Sequence, residues 1–109
     1  MTFKVIVYQQ AHDAILRNAT WWAINRSVRE ADAWKDAIYA QLHQLARMPK
    51  QHALARENDE FDFELRQQRL GIGKRPSYRA LFRIEDSVVH VIDFLAMQQD
   101  DAHRIELPS

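Results

Sequence analysis

The chain has 109 residues, 47% apolar and 28% charged, with 15 basic residues balancing 15 acidic ones. That length and composition suit one globular domain with a core of its own, and the absence of cysteine excludes disulfides and thiolate metal sites, in keeping with a reducing cytoplasm. No apolar run approaches the roughly 20 residues of a membrane span, and the first residues lack a basic-then-apolar leader pattern, so a cytoplasmic protein without membrane attachment is expected.

Phe3-Lys4-Val5-Ile6-Val7-Tyr8 is short, β-branched and aromatic and reads as a strand. Its unbroken apolar character predicts an interior place in a sheet. Ala11, Ile15, Ala19, Trp22 and Ala23 recur at three- and four-residue spacing, which predicts a helix over residues 11–25 with one apolar stripe. Ser27-Val28-Arg29-Glu30 has the form of a capping box: the Ser27 hydroxyl can accept from the Glu30 amide while the Glu30 carboxylate reaches back. A second helix therefore starts at Val28, with Ala31, Trp34, Ile38, Leu42, Leu45 and Met48 on its buried face. Pro49 ends it, because the residue before a proline avoids the helical region. So short a link between the two makes them an antiparallel hairpin.

Residues 50–60 are polar and irregular. Phe61, Phe63 and Leu65 then alternate, and the apolar parity shifts to Leu70 and Ile72, predicting a strand with a bulge near Gln67-Gln68. Gly73-Lys74-Arg75-Pro76-Ser77 is a turn. In the following strand Tyr78, Ala80, Phe82 and Ile84 share one face, and Arg79, Leu81 and Arg83 the other. Glu85-Asp86-Ser87 forms a tight turn into a mostly apolar strand over residues 88–95, interrupted by His90 and Asp93, and a polar tail follows from Met97. The order strand, helix, helix, strand, strand, strand gives an α+β fold within one domain, 1–109, with the helical hairpin packed on one face of a mainly antiparallel sheet. There is no internal repeat, low-complexity tract or linker.

Zero net charge conceals a segregation. Residues 1–27 sum to +2 and residues 28–63 to −2. Residues 64–84 carry six basic side chains against Glu64, a sum of +5, whereas residues 85–109 carry six acidic ones against Arg104, a sum of −5. Such asymmetry points to a polar partner surface, or more blandly to a solvated sheet face beside a polar tail. The five histidines (His12, His43, His52, His90 and His103) show no metal-ligand spacing, so no metal and no cofactor is expected. Gly71-Ile72-Gly73-Lys74 lacks the spacing of a phosphate loop. Of the tryptophans, Trp22 and Trp34 fall on core stripes. Trp21 sits beside its stripe and is a candidate partner anchor, against the plain reading of an isolated surface aromatic.

The sharper signal lies in the arginines. Arg79 and Arg83 share a strand face, and Arg66 and Arg69 lie on the preceding strand, which should pair with it. Guanidinium groups on adjacent strands can converge on a phosphate through bidentate hydrogen bonds or stabilise a phosphoryl transition state. The competing reading has them neutralised by Glu64, Glu85 or Asp93.

The series Ala55-Arg56-Glu57-Asn58, Glu64-Leu65-Arg66-Gln67, Gly73, Ser77-Tyr78-Arg79-Ala80-Leu81-Phe82-Arg83-Ile84 and Val88-Val89-His90-Val91-Ile92, with Pro49 after the hairpin, resembles the RelE/ParE superfamily of bacterial toxins over nearly the whole chain. The resemblance implies the toxin half of a type II toxin–antitoxin module of the plasmid-stabilisation kind. Its partner would be a small antitoxin that wraps it, and it would meet operator DNA only through that antitoxin. In this family RelE-like members cut mRNA on the ribosome, and ParE-like members poison DNA gyrase. Arg79 matches the family's arginine in the Tyr-Arg strand and Arg66 the one in Leu-Arg. The basic group and C-terminal tyrosine common in the nucleases are replaced here by Leu95-Ala96, then Gln98-Gln99-Asp100-Asp101, with no tyrosine after Tyr78. RNA cleavage needs a base and an acid, and only His90 and His103 remain near that end. Neutral overall charge also disfavours a polyanionic ribosomal target. The expectation is therefore a ParE-like or weakened toxin with Arg66, Arg69, Arg79 and Arg83 facing the target and Trp21 facing the antitoxin. A ribosome-dependent mRNA endonuclease and a non-toxic binding module are the alternatives.

Overall fold

A computed structural model of the chain describes residues 2–73 and 76–97. In order it contains β1 (Lys4–Val7), α1 (Gln9–Asn25), α2 (Val28–His43), β2 (Arg66–Leu70), β3 (Tyr78–Glu85) and β4 (Val88–Ala96). Single 3₁₀ turns occupy Gln44–Ala46, Pro49–Gln51 and Asn58–Glu60. The sheet order is β1-β4-β3-β2. β1 runs parallel to β4, and the other two pairings are antiparallel. The α+β architecture read from the sequence, with a helical hairpin on one face of a mainly antiparallel sheet, is the one found.

The apolar stripes of both helices meet the sheet. Ala11, Ala14, Ile15 and Ala19 of α1 and Trp34, Ile38 and Leu42 of α2 pack with Leu70, Ala80, Phe82, Val89, Val91 and Phe94 in one cluster. Small residues on α1 let it lie close to β4 and α2, while Trp34 fills the wider space. Its ring meets Tyr78 and Phe94 edge-on at centroid distances of 5.2 and 6.0 Å. Ser27 caps α2, accepting from the Glu30 amide at 3.0 Å. The reciprocal half of the capping box is not made. The Glu30 carboxylate lies 3.6 Å from Arg26 and accepts from the Ser27 hydroxyl at 3.4 Å. At the far end of α2, Gln41 fastens the exit of β2: its amide donates to the Gly71 carbonyl at 2.9 Å and accepts from the Gly71 N–H at 3.0 Å. Gly71 has a positive φ of 155°, and a Cβ there would sit 3.0 Å from the Ser77 backbone nitrogen, so this position requires glycine.

Four expectations are corrected. β1 is an edge strand, paired only with β4. Its apolar run reflects two half-buried faces, with Val5 and Val7 on the helix-side core, not strands on both sides. α2 stops at His43 instead of running to Pro49, the last turn tightening to 3₁₀. Met48 consequently leaves the buried face, adopts φ 49° and is 68% exposed, while Pro49 is buried. No strand begins at Phe61, because residues 61–65 are irregular and β2 opens only at Arg66. The bulge also lies elsewhere. β2 pairs with β3 in unbroken register from Arg66–Phe82 to Leu70–Tyr78. The shift falls between Leu81 and Phe82 against β4, leaving Ile92 without an opposite residue. The parity change between Leu65 and Leu70 has a simpler cause: the two side chains belong to opposite faces of the sheet, Leu70 in the helix-side core and Leu65 in a second cluster behind it. Lys74 and Arg75 of the 73–77 turn, and the tail beyond Met97, lie outside the described residues. No helix among the described residues is long and apolar enough to cross a membrane.

Candidate functional site

The helix-free face of the sheet carries the polar chemistry. Alternation along β3 turns Ala80 and Phe82 toward the helices and Arg79, Leu81 and Arg83 away from them. Residues 50–65 form a strap over this second face. Ala55 and Phe63 of the strap pack with Leu65, Leu81, Ile92 and Leu95. The strap also extends the sheet beyond β2. Leu54 bridges Arg66, the Ala55 N–H donates to the Leu65 carbonyl at 2.7 Å, and the Gln67 N–H donates to the Ala53 carbonyl at 3.0 Å.

Three of the four arginines singled out in the sequence hold this strap or the adjacent turn. Arg66 donates to the carbonyls of His52 at 2.6 Å and Lys50 at 3.3 Å, and pairs with Glu64 at 3.2 Å. Arg79 is 2% exposed. Its guanidinium grips the buried Glu57 carboxylate with both terminal nitrogens, one at 2.8 Å, and donates to Gln67 Oε1 at 3.1 Å. Arg83 pairs with Glu85 at 2.7 Å and lies over the Phe63 ring, 4.8 Å from its centroid. Arg69 differs. It is exposed and its side chain makes no hydrogen bond or ion pair among the described residues.

Arg69 and Arg79 are cross-strand partners. Two guanidinium groups placed opposite one another repel, and the Glu57 carboxylate relieves this from the strap. Beside them opens a shallow cleft of about 260 Å³ lined by Leu54, Arg56, Gln67, Arg69, Arg79 and Met97. The structure thus gathers Arg69 and Arg79 and leaves Arg66 and Arg83 out. It adds Arg56, whose Nε lies 4.0 Å from the Glu57 carboxylate. Three guanidinium groups among the described residues thus line one cleft, an arrangement suited to an oxyanion. Arg56 was legible as a basic residue only. It sits in an irregular segment, and no periodicity announces which way it points.

Among the described residues no histidine lines this cleft. His90 Nδ1 is 3.0 Å from the Tyr8 hydroxyl, at the β1 end of the sheet. His90 is opposite Arg83, whereas Arg79 is opposite Leu95. Five residues of β4 separate the two places, about 15 Å. His52 lies under Arg66 with its ring edge-on to Phe82. Burial, and then the Arg66 charge, push its imidazole below the ordinary 6.5. His12 Nδ1 meets the Tyr39 hydroxyl between the helices at 2.6 Å, and burial raises the Tyr39 phenol. His103 lies outside the described residues. Among the described residues no three His, Asp or Glu side chains gather as a metal site.

On the opposite side of the molecule, Trp21 is 55% exposed, with Ile24 and Val28 near it in sequence and exposed as well. It packs edge-on against Trp22, their centroids 5.5 Å apart. The end of the helical hairpin therefore presents an apolar patch flanked by Arg26, which stacks on the Trp22 ring at 5.9 Å.

No family model matches the chain, and no curated protein matches it. Among solved structures, the chain is similar to one from "Chromosomal ParDE TA system from P. aeruginosa", at 15% sequence identity and a TM-score of 0.68, over 87% of this chain and 96% of that one. The fold is therefore one found in a ParDE toxin–antitoxin structure.

Proposed function

We propose that the chain is the toxin of a type II toxin–antitoxin module, held inactive by a small cognate antitoxin, and that it acts by binding its target rather than by cutting RNA. The observation that carries the module assignment is the extent of the structural likeness, which takes in all but a few per cent of the ParDE chain. Within the series that resembles RelE/ParE toxins, Arg79 and Arg83 lie on the helix-free face, whereas Arg66 stands opposite Phe82.

The preference for binding over cleavage rests on geometry. A nuclease that uses the RNA 2′-hydroxyl needs a base or acid within about 3 Å of the reacting oxygen and a cationic clamp on the same phosphate. In this chain the clamp-like cleft and the His90–Tyr8 pair are separated by about 15 Å of strand. Arg79 is meanwhile engaged by Glu57 and Gln67. Such a face suits recognition of a protein or a nucleic-acid backbone more than proton transfer. DNA gyrase is the target class that fits a ParE-like toxin. The Trp21 patch on the helical hairpin is the antitoxin's anchor in this reading, since exposed indoles beside arginine are favoured at the centres of interfaces.

Induced expression of the chain alone, and together with its antitoxin, tests the module assignment. Growth arrest relieved by the antitoxin is expected, and undiminished growth without it would count against a toxin. A supercoiling and DNA-cleavage assay with purified protein tests the target, and unaffected gyrase would exclude that target.

A further inference from the structure

Only one edge of the sheet is covered. Beyond β2 the strap continues the ladder, with the Gln67 N–H donating to the Ala53 carbonyl and the Ala55 N–H to the Leu65 carbonyl. β1 is the other edge and pairs only with β4. That parallel ladder runs through alternate residues: the Lys4 N–H donates to the Ser87 carbonyl and the Tyr8 N–H to the Val91 carbonyl, each at 2.9 Å. In a parallel strand the N–H and C=O of one residue leave on the same side, so those of Val5 and Val7 point away from β4. Neither residue has a hydrogen bond on that outer side among the described residues. We propose that the outer edge of β1 pairs with β1 of a second copy of this chain, antiparallel across a two-fold axis, joining the two four-stranded sheets into one.

The edge is complementary to itself. With Val5 opposite Val7 of the second copy, each such pair exchanges two N–H···O bonds, and the two-fold axis repeats the pair. Every outward N–H and C=O of Val5 and Val7 is then satisfied, and Ile6 faces Ile6 on the axis. Sliding the register sets Val7 against Phe3, whose N–H is already donated to the Ala46 carbonyl at 2.8 Å, or Val5 against Gln9, where α1 begins. In the favoured register these two closed ends fall opposite each other. The side chains agree with it as well. Val5 and Val7 stay in the helix-side core, while Lys4, Ile6 and Tyr8 alternate onto the other face. Lys4, the one charge on β1, lies opposite Tyr8 of the second copy, a cation over a ring, and no like charges meet. Neither proline nor a bulge blunts this edge, the usual defences against strand pairing. The axis stands normal to the sheet, so both helical hairpins fall on one side. The two basic clefts then open on the other side, five to seven strand spacings or about 25–35 Å apart. So short an edge buries far less than the roughly 1,000 Å² of a stable interface, so half-association is expected on the order of 100 µM. This inference goes beyond the toxin assignment and does not depend on it.

Sedimentation equilibrium of the full chain from about 10 µM to about 1 mM should show the mass rising from one chain toward two. Over the same range amide exchange at Val5 and Val7 should slow several-fold, while Lys4 and Tyr8, whose N–H groups are already donated to carbonyls of the same chain, stay as they are. Val5→Pro removes one outward donor from each copy and none from the ladder with β4, and should weaken association at least tenfold. Ile6→Lys and Ile6→Glu each set like charges across the axis. Each should stay monomeric alone, and an equimolar mixture of the two should associate at least as well as the parent. That recovery requires both variants to be folded and residue 6 to face its own copy. A mass fixed at one chain up to about 1 mM, or Val5 and Val7 amides already protected at the lowest concentration, would overturn the proposal. So would association that Val5→Pro and both Ile6 variants leave unchanged, or a mixture no better associated than Ile6→Lys alone. Concentration-dependent shifts confined to Trp21, Ile24 and Val28 would refute it too and assign the contact to the end of the helical hairpin.

Discussion

Replacing Glu57 by glutamine preserves its shape and removes the carboxylate that grips Arg79 from the strap. Arg79 is 2% exposed, and a guanidinium does not release its proton in a protein. The variant therefore replaces the carboxylate on this buried cation by a neutral amide beside Gln67 Oε1, which accepts at 3.1 Å. Breaking one side of a buried ion pair costs about 3–5 kcal/mol. The surviving Gln67 contact places this case near the lower end, about 3 kcal/mol. Nearby Arg56 and cross-strand Arg69 act in the opposite direction, because Glu57 no longer offsets their repulsion. For a domain of this size the loss corresponds to a fall in Tm of about 12 °C or more. Removing both charges, as Glu57→Leu with Arg79→Met, should recover most of that loss, since a buried pair is commonly no more stable than an apolar replacement. Urea unfolding followed by tryptophan fluorescence reads the effect, with Trp34, 1% exposed, as the buried reporter. A Glu57→Gln variant within about 1 kcal/mol of the parent, or a double variant no better than the sum of its parts, would refute the reasoning.

The other arginines should separate by their contacts. Arg66→Met removes two donations to strap carbonyls and should cost about 1–3 kcal/mol, whereas Arg69→Gln at its exposed position should stay within about 0.5 kcal/mol in the same unfolding experiment. His52 supplies a pH dependence. Its folded pKa is depressed by burial and Arg66, so the unfolded chain takes up a proton first. The stability associated with this group is complete above the ordinary 6.5 and falls as pH drops through it toward the folded value. His52→Phe should flatten the slope of unfolding free energy over about pH 7 to 5, and an unchanged slope would show that other groups set it. Trp21→Ala should leave the unfolding midpoint within about 0.5 kcal/mol yet weaken capture by the antitoxin about thirtyfold, as loss of an interface anchor does. Calorimetric titration of the two purified partners measures this directly.

The helical hairpin was readable because its apolar residues repeat at one period and a serine marks the second start. Ala11, Ile15, Ala19, Trp34, Ile38 and Leu42 all lie in the core. The two faces of β3 were readable for the same reason: Arg79, Leu81 and Arg83 do share the face away from the helices. What alternation does not carry is the partner of each face. β1 looked interior because an apolar run is consistent with neighbours on both sides, and only the pairing order makes it an edge. The site was legible only in part, and for a related reason. Sequence spacing places arginines on strands, but residues 50–60 have no period, the alternation of Phe61, Phe63 and Leu65 reads as a strand, and neither gave a sign that this segment would fold back as a strap. It is this strap that brings Glu57 and Phe63 to Arg79 and Arg83, draws Arg66 to its own carbonyls, and delivers Arg56 to the cleft. Four arginines that looked alike in the sequence thus have different surroundings, with Arg69 alone among them exposed and without a partner among the described residues.

The separation of the basic cleft from His90 by about 15 Å of strand leads to the claim that this chain acts by binding. Mapping mRNA 5′ ends in cells arrested by its induced expression tests that claim most directly. We expect growth to stop with no new ends at codon-related positions. New ends at such positions, lost when His90→Ala is introduced, would contradict it and identify an RNA-cleaving toxin.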